Sequence, residues 1–252
     1  MKHKNIFRAV LICLAGLVIA APVFSKEFTL PDSGQEICYD WDKIIDCPKE
    51  GEDFYGQDGT YSIHPPDLID NGDGTIQDKL TGLTWEKKTE GIETVTYAEA
   101  LSYCENLVLG GSDDWRVPTR PEYSTVLNYN VVSPALGRDI FPGEPGVGDT
   151  SSYWTTSEYH DNASQVWKIK IAFGLIDKTS KTGSIKIRCV RGNVLPTARF
   201  VDNRDGTVTD KSTGLMWEQK TDDGSSSDKD IKRTWNDSMQ YCESLTLGGH
   251  TD

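Results

Sequence analysis

The chain has 252 residues, 26 of them basic and 39 acidic, for a formal net charge of −13. A protein this acidic repels nucleic acid and anionic lipid, which argues against a nucleic-acid role. Beyond the first 25 residues no stretch is apolar enough to span a bilayer.

Lys2, His3, Lys4 and Arg8 form a basic front before an uncharged run from Ala9 to Ala21. Val23-Phe24-Ser25 then offers small residues where a signal peptidase reads. The pattern predicts a secretory signal over 1–25, with a hydrophobic run too short to cross a membrane. Removing Lys2, Lys4 and Arg8 takes the charge from −13 to −16. Export implies a periplasmic, secreted or cell-surface protein, in a compartment where cysteines pair by default. Cys38 and Cys47 close a short loop and staple a segment over 26–66. Cys104 and Cys189 close a long one. In the chain-entropy model the two bridges contribute roughly 3 and 4–5 kcal/mol. Cys242 is left over.

The chain repeats itself. Asp70-Asn71-Gly72-Asp73-Gly74-Thr75 recurs as Asp202-Asn203-Arg204-Asp205-Gly206-Thr207, and Thr81-Gly82-Leu83-Thr84-Trp85-Glu86 as Thr213-Gly214-Leu215-Met216-Trp217-Glu218. After an insertion around Gly224 to Asp230, Tyr103-Cys104-Glu105 matches Tyr241-Cys242-Glu243. Residues 67–192 therefore read as one complete domain, 193–197 as a linker, and 198–252 as the first half of a second domain. On this reading the sequence is a fragment of a longer protein or a truncated gene product, and Cys242 lacks its in-domain partner; the alternative is a reactive thiol or an intermolecular link.

Within 67–192, the Asn-Gly and Asp-Gly pairs predict tight turns feeding a hairpin and a buried Trp85. Thr96 with Glu99 forms a capping box. The helix it starts carries Tyr97, Ala100, Leu101, Cys104, Leu107 and Val108 on one stripe, and Gly110-Gly111 ends it. Thr119 with Glu122 caps a second helix running to about Leu127, with Pro121 in its first turn. Arg116 beside Asp113 and Asp114 reads as a structural ion pair. Residues 128–152 are a long loop, of a length often tied to function. Tyr153 to Ser157 is a strand. Val166–Phe173 and Ser184–Val190 alternate apolar and basic residues and read as an antiparallel hairpin closed near Asp177 to Gly183, with Ile185, Ile187 and Cys189 inward. The class is α+β, with two helices on small antiparallel sheets and Cys104–Cys189 pinning the first helix to the last strand.

The strings Asp-Asn-Gly-Asp-Gly-Thr, Thr-Gly-Leu-x-Trp, Tyr-Cys-Glu-Asn-Leu, Asp-Asp-Trp-Arg-Val-Pro-Thr-Arg, Tyr-Trp-Thr-Thr-Ser-Glu and Arg-Cys-Val-Arg-Gly, in this order, resemble the Lcl C-terminal domain family. The resemblance covers 67–192 fully and 198–252 as a first half. It implies a C-type-lectin-like fold, an exported location and, in the adhesin that gives the family its name, binding to sulfated polysaccharides. This chain has no collagen-like tract, and its acidity departs from what a polyanion binder shows. Trp-Arg-Val-Pro-Thr also looks like a string in formylglycine-generating enzymes. Those act through paired cysteines that bind copper, whereas Cys104 and Cys189 are placed for a staple.

Asp70, Asp73 and Asp78 invite a calcium ion, but the spacing is not that of an EF-hand, and a hairpin turn is the better reading. Trp235-Asn236-Asp237 spells a lectin calcium tripeptide inside a helix's first turn, and Glu144-Pro145-Gly146 lacks the Asn of a lectin sugar motif. No cofactor or metal is expected, with a looser calcium site using backbone carbonyls as the alternative. His64, His160 and His250 sit beside no nucleophile or ligand motif, so no catalytic residue is assigned. Trp85, Trp115, Trp154 and Trp167 read as core. The binding candidate is the basic strip of 165–192, with Lys168, Lys170, Lys186 and Arg188 on one sheet face. The expectation is an exported, non-catalytic binding module, an adhesin or envelope protein recognising a glycan or protein ligand. The alternatives are a structural repeat without its own ligand, then a hydrolase with its site in the missing half of the second domain.

Overall fold

The computed structural model describes residues 28–88, 94–131, 135–136, 140–142 and 151–251. The signal segment, the Glu144-Pro145-Gly146 string and much of the long loop lie outside the described residues.

Near the N-terminus, β1 (Cys38–Tyr39) and β2 (Ile44–Ile45) form a small hairpin. The Cys38–Cys47 disulfide closes it. The next strands are β3 (Leu68–Asp70), β4 (Thr75–Asp78), β5 (Thr84–Glu86) and β6 (Thr94–Thr96). Then come α1 (Tyr97–Glu105) and α2 (Arg120–Ser124). Both carry the predicted capping boxes, Thr96 with Glu99 and Thr119 with Glu122. Five strands follow: β7 (Ser152–Glu158), β8 (Gln165–Lys170), β9 (Leu175–Ser180), β10 (Ser184–Lys186) and β11 (Val190–Arg191). Two sheets result, in the orders β6-β10-β7-β8-β9 and β11-β5-β4-β3. All pairings are antiparallel except β10 with β7.

The five-stranded sheet is covered on both sides. Tyr153 opposes Ile169, and both join a core with Trp85, Tyr123, Leu127 and Phe141. One residue along, Trp154 opposes Lys168 and faces a second core of Ala100, Cys104, Trp115, Val166 and Cys189. Alternate strand residues point to opposite faces, so α1 packs on one side of this sheet and the α2 region on the other. The Cys104–Cys189 bridge sits where the chain leaves β10 in one sheet for β11 in the other.

Three expectations are corrected. The hairpin partner of β8 is β9, a strand over 175–180 that contains Asp177. The segment 184–190 does not run on as one strand. It divides between two sheets, because Cys189 turns inward to meet α1. Helix α1 stops at Glu105, where the Asn106 side chain donates to Ser102 O at 2.7 Å, and Gly110-Gly111 instead make a separate tight turn. Leu101 and Val108 are accordingly exposed, and the buried stripe of α1 narrows to Ala100 and Cys104.

The remaining elements are β12 (Phe200–Asp202), β13 (Thr207–Asp210), β14 (Met216–Glu218), α3 (Trp235–Glu243), β15 (Thr246–Leu247) and β16 (His250–Thr251). Strands β12, β13 and β14 form an antiparallel three-stranded sheet. The turn between β12 and β13 repeats the side-chain bonds of the turn between β3 and β4. Asp73 Oδ1 accepts from Thr75 N–H at 3.0 Å, and Asp205 Oδ1 from Thr207 N–H at 3.0 Å. Asn71 and Asn203 each donate at 2.8 Å to the hydroxyl of the Thr four residues on. The N-terminal segment joins both parts: Tyr129 N–H donates to Ser33 O, and Phe54 N–H to Asn236 Oδ1.

Candidate functional site

The acidic turns are occupied by their own chain. Asp70 accepts from Gly72 N–H and pairs with Lys87. Asp78 is buried and accepts from Leu80 N–H, Thr81 N–H and the Thr81 hydroxyl. These are Asx turns, with the carboxylates aimed at backbone donors. Asp210 repeats Asp78. Hydrogen bonds led by the Ser212 hydroxyl hold its carboxyl at about 2, against an ordinary 3.8. Trp235-Asn236-Asp237 lies in the first turn of α3, and Asn236 is bonded to Phe54 and Asp53. Asp222, Asp228 and Asp230 converge, but Lys229 bridges the first and last of them.

Two polar clusters are structural. Arg116 does form an ion pair, but its partner is Glu122, through two bonds of 2.8 and 2.6 Å. Asp114 is taken by Arg191. Glu122 also accepts from Thr119 and Leu195 N–H, which ties α2 to the segment after β11. Burial pushes the Glu122 carboxyl up, but Arg116 and these amides outweigh it and hold it below the usual range. The second cluster surrounds the disulfide. Tyr103 donates to Glu86 Oε1 at 2.6 Å, Cys189 N–H donates to Glu86 Oε2 at 3.0 Å, and Lys88 lies over the Tyr103 ring. Burial and the Glu86 carboxylate push the Tyr103 hydroxyl up. Tyr241, Glu218 and Lys220 repeat the arrangement among residues 198–251, the second unit, the first being 67–192.

The basic candidates do not share a face. Lys168 and Lys170 lie on the side of Trp154, and both reach Asp177, at 4.0 and 3.0 Å. Lys186 is level with Tyr153, on the opposite side of the sheet. Arg188 is 0 % exposed, which corrects the outward placement. Its guanidinium donates to Glu86 O and Lys87 O and stacks over Phe141. Arg188 alternates as an outward residue yet is buried, because both sides of the chain are covered where 187–189 crosses between sheets. Elsewhere on the strip, Lys181 pairs with Glu158.

The structure shows instead a surface that the periodicity hid. Trp85, Trp115 and Trp154 are core, as expected, whereas Trp167 is half-buried at the outer end of β8. Its ring meets half-buried Tyr159 edge to face, with centroids 5.2 Å apart. Arg120 lies 5.1 Å from the Trp167 centroid, and Lys178 lies 4.3 Å from that of Tyr159. Lys178 is also the cross-strand partner of Trp167. Such a row of aromatic faces and cations suits stacking against a sugar ring that carries an anionic group. The sequence signal for it was the position of Trp167 two residues into the strand, beyond the reach of the core.

His160 bonds only its neighbour Asp161, at 2.6 Å, in an exposed turn. The hydroxyl beside that pair is the Tyr159 phenol, which bonds Asp161; His160 and this phenol hold the Asp161 carboxyl below the usual range.

Residues 74–191 match the family model of the Lcl C-terminal domain. No curated protein matches the chain.

Proposed function

Residues 74–191 are an Lcl C-terminal domain, and from that premise we propose that the chain is an exported, non-catalytic binding module for a glycan, with the C-type-lectin-like architecture the family resemblance implies. The carrying observation is the Arg120–Trp167–Tyr159–Lys178 surface, where two part-exposed rings sit between two cations. Two disulfides support an exported location. We read 198–252 as belonging to a second copy of the domain, an arrangement that raises avidity when both copies reach one polymer. The ligand is an acidic oligosaccharide, held against the net negative charge of the chain by the local cations Arg120 and Lys178 and by stacking, with the charge contribution screened at high salt.

Heparin retention of the full chain at low and high salt tests this. Retention should fall with salt and fall again in Trp167→Ala and in Arg120→Ala. Salt-independent passage, or variants that behave as the parent, would remove the glycan reading. A second reading, a scaffold repeat with no ligand, is favoured by the internal pairing of Lys168, Lys170 and Lys181 with Asp177 and Glu158.

A further inference from the structure

The second unit presents one half of an interaction that the first unit shows complete. In the first, β11 pairs with β5, setting Val190 opposite Trp85 and Arg191 opposite Thr84. Glu86 N–H donates to Cys189 O at 2.9 Å, and Glu86 Oε2 accepts from Cys189 N–H at 3.0 Å. Arg188 caps the carbonyls of Glu86 and Lys87, and Cys189 bonds Cys104. Leu83, Trp85 and Cys104 are fully buried as a result.

In the second unit β14 is an edge strand among the described residues. Its Trp217, the counterpart of Trp85, is 55 % exposed. Cys242, the counterpart of Cys104, is an exposed free thiol. Trp217, Glu218, Cys242, Leu245 and Leu247 line one cleft of about 270 Å³. An open strand edge, an apolar floor and a thiol therefore coincide at the positions that receive the Cys189 strand in the first unit.

We propose that this cleft receives an extended cysteine-bearing strand of the chemistry of Ile187–Arg191: apolar, basic, cysteine, β-branched, basic. The strand adds to the β14 edge as β11 adds to β5, which satisfies main-chain groups that an edge leaves open. Its β-branched residue covers Trp217. The Glu218 carboxylate, held by Tyr241, accepts from the cysteine N–H. The preceding basic residue reaches the carbonyls of Glu218 and Gln219. The register brings the two sulfurs together, and thiol–disulfide exchange joins them. The Cys242 thiolate attacks the strand's sulfur in a mixed disulfide with a small thiol, the old S–S bond breaks as the new one forms, and the small thiolate leaves and takes a proton. No external oxidant is consumed.

The test uses the full chain with both disulfides closed and a peptide of sequence Ile185–Gly192, its cysteine capped as a mixed disulfide with glutathione. A scrambled peptide with the same cap is the reference. The Cys242 adduct should form at least tenfold faster with the ordered peptide. Amides of 216–218 should then exchange more slowly with deuterium. Trp217→Ser should bring the rate down to that of the scrambled peptide. In Cys242→Ser, an alanine-for-cysteine peptide should still slow that exchange while no adduct forms. Equal rates for the two peptides, unchanged exchange at 216–218, or preferential Cys242–Cys242 dimers would overturn the proposal.

Discussion

Residues 68–112 and 200–250 share their turns, their helix caps and their Tyr–Glu–Lys cluster, yet Trp85 is 0 % exposed and Trp217 is 55 % exposed. The local geometry is set by short-range chemistry present in both: an Asx turn at Asp73 or Asp205, and a glycine closing over it. A Cβ on Gly110 would lie 2.8 Å from Thr75 Cγ2, and one on Gly248 would lie 2.7 Å from Asp205 Oδ2. Burial comes from elsewhere. In the first unit, residues 113–191 bring β7, β8, β11 and Cys189 over the same surface. The comparison separates what specifies a turn from what stabilises a core.

The largest effect that sharpens this contrast is at the bridge. Replacing Cys104 and Cys189 with serine should cost about 4–5 kcal/mol in denaturant titration, while Cys242→Ser should move stability by less than ~0.5 kcal/mol. Next is the tryptophan pair. Trp85→Ala should lose ~3–5 kcal/mol, and Trp217→Ala a small fraction of that. Equal losses would break the comparison. Arg116→Ala leaves the buried Glu122 carboxylate without its cation and should cost toward the lower end of ~3–5 kcal/mol, since Arg116 is itself partly exposed. Glu122→Gln in the same background should recover part of that.

The smallest effect concerns pH. The Asp210 carboxyl is depressed from 3.8 to about 2, so its contribution is present above the unfolded value and disappears as pH falls toward 2. Glu122, also depressed, adds a loss of the same sign on acidification of the first unit. Carboxyl titration by NMR should give Asp210 a midpoint near 2. A midpoint near 3.8 would show that the Ser212 bonds do not hold in solution.

Much of the fold was legible because its determinants are local. Thr96 with Glu99, Thr119 with Glu122, and the Asp-Gly turns each announce themselves within four residues. The two cysteine pairs followed from counting, once the expectation of export made pairing the default. What alternation could not show was a segment buried on both sides. Arg188 alternates as an outward residue would, but it is desolvated because the chain there passes from one sheet to the other. The strand over 175–180 escaped because Leu175-Ile176-Asp177-Lys178 has no polar-apolar period. Trp167 read as core because it follows the register of Ile169 and Ile171. Its half-exposure depends on how far the α2 region extends along the sheet, which no local pattern encodes.

Alkylating the native, non-reduced protein with iodoacetamide, then unfolding and alkylating again with an isotopically distinct reagent, tests the account most directly. Among Cys38, Cys47, Cys104, Cys189 and Cys242, mass spectrometry should find the first label on Cys242 alone and the second on none of the other four. Label of either kind on Cys104 or Cys189 would contradict it.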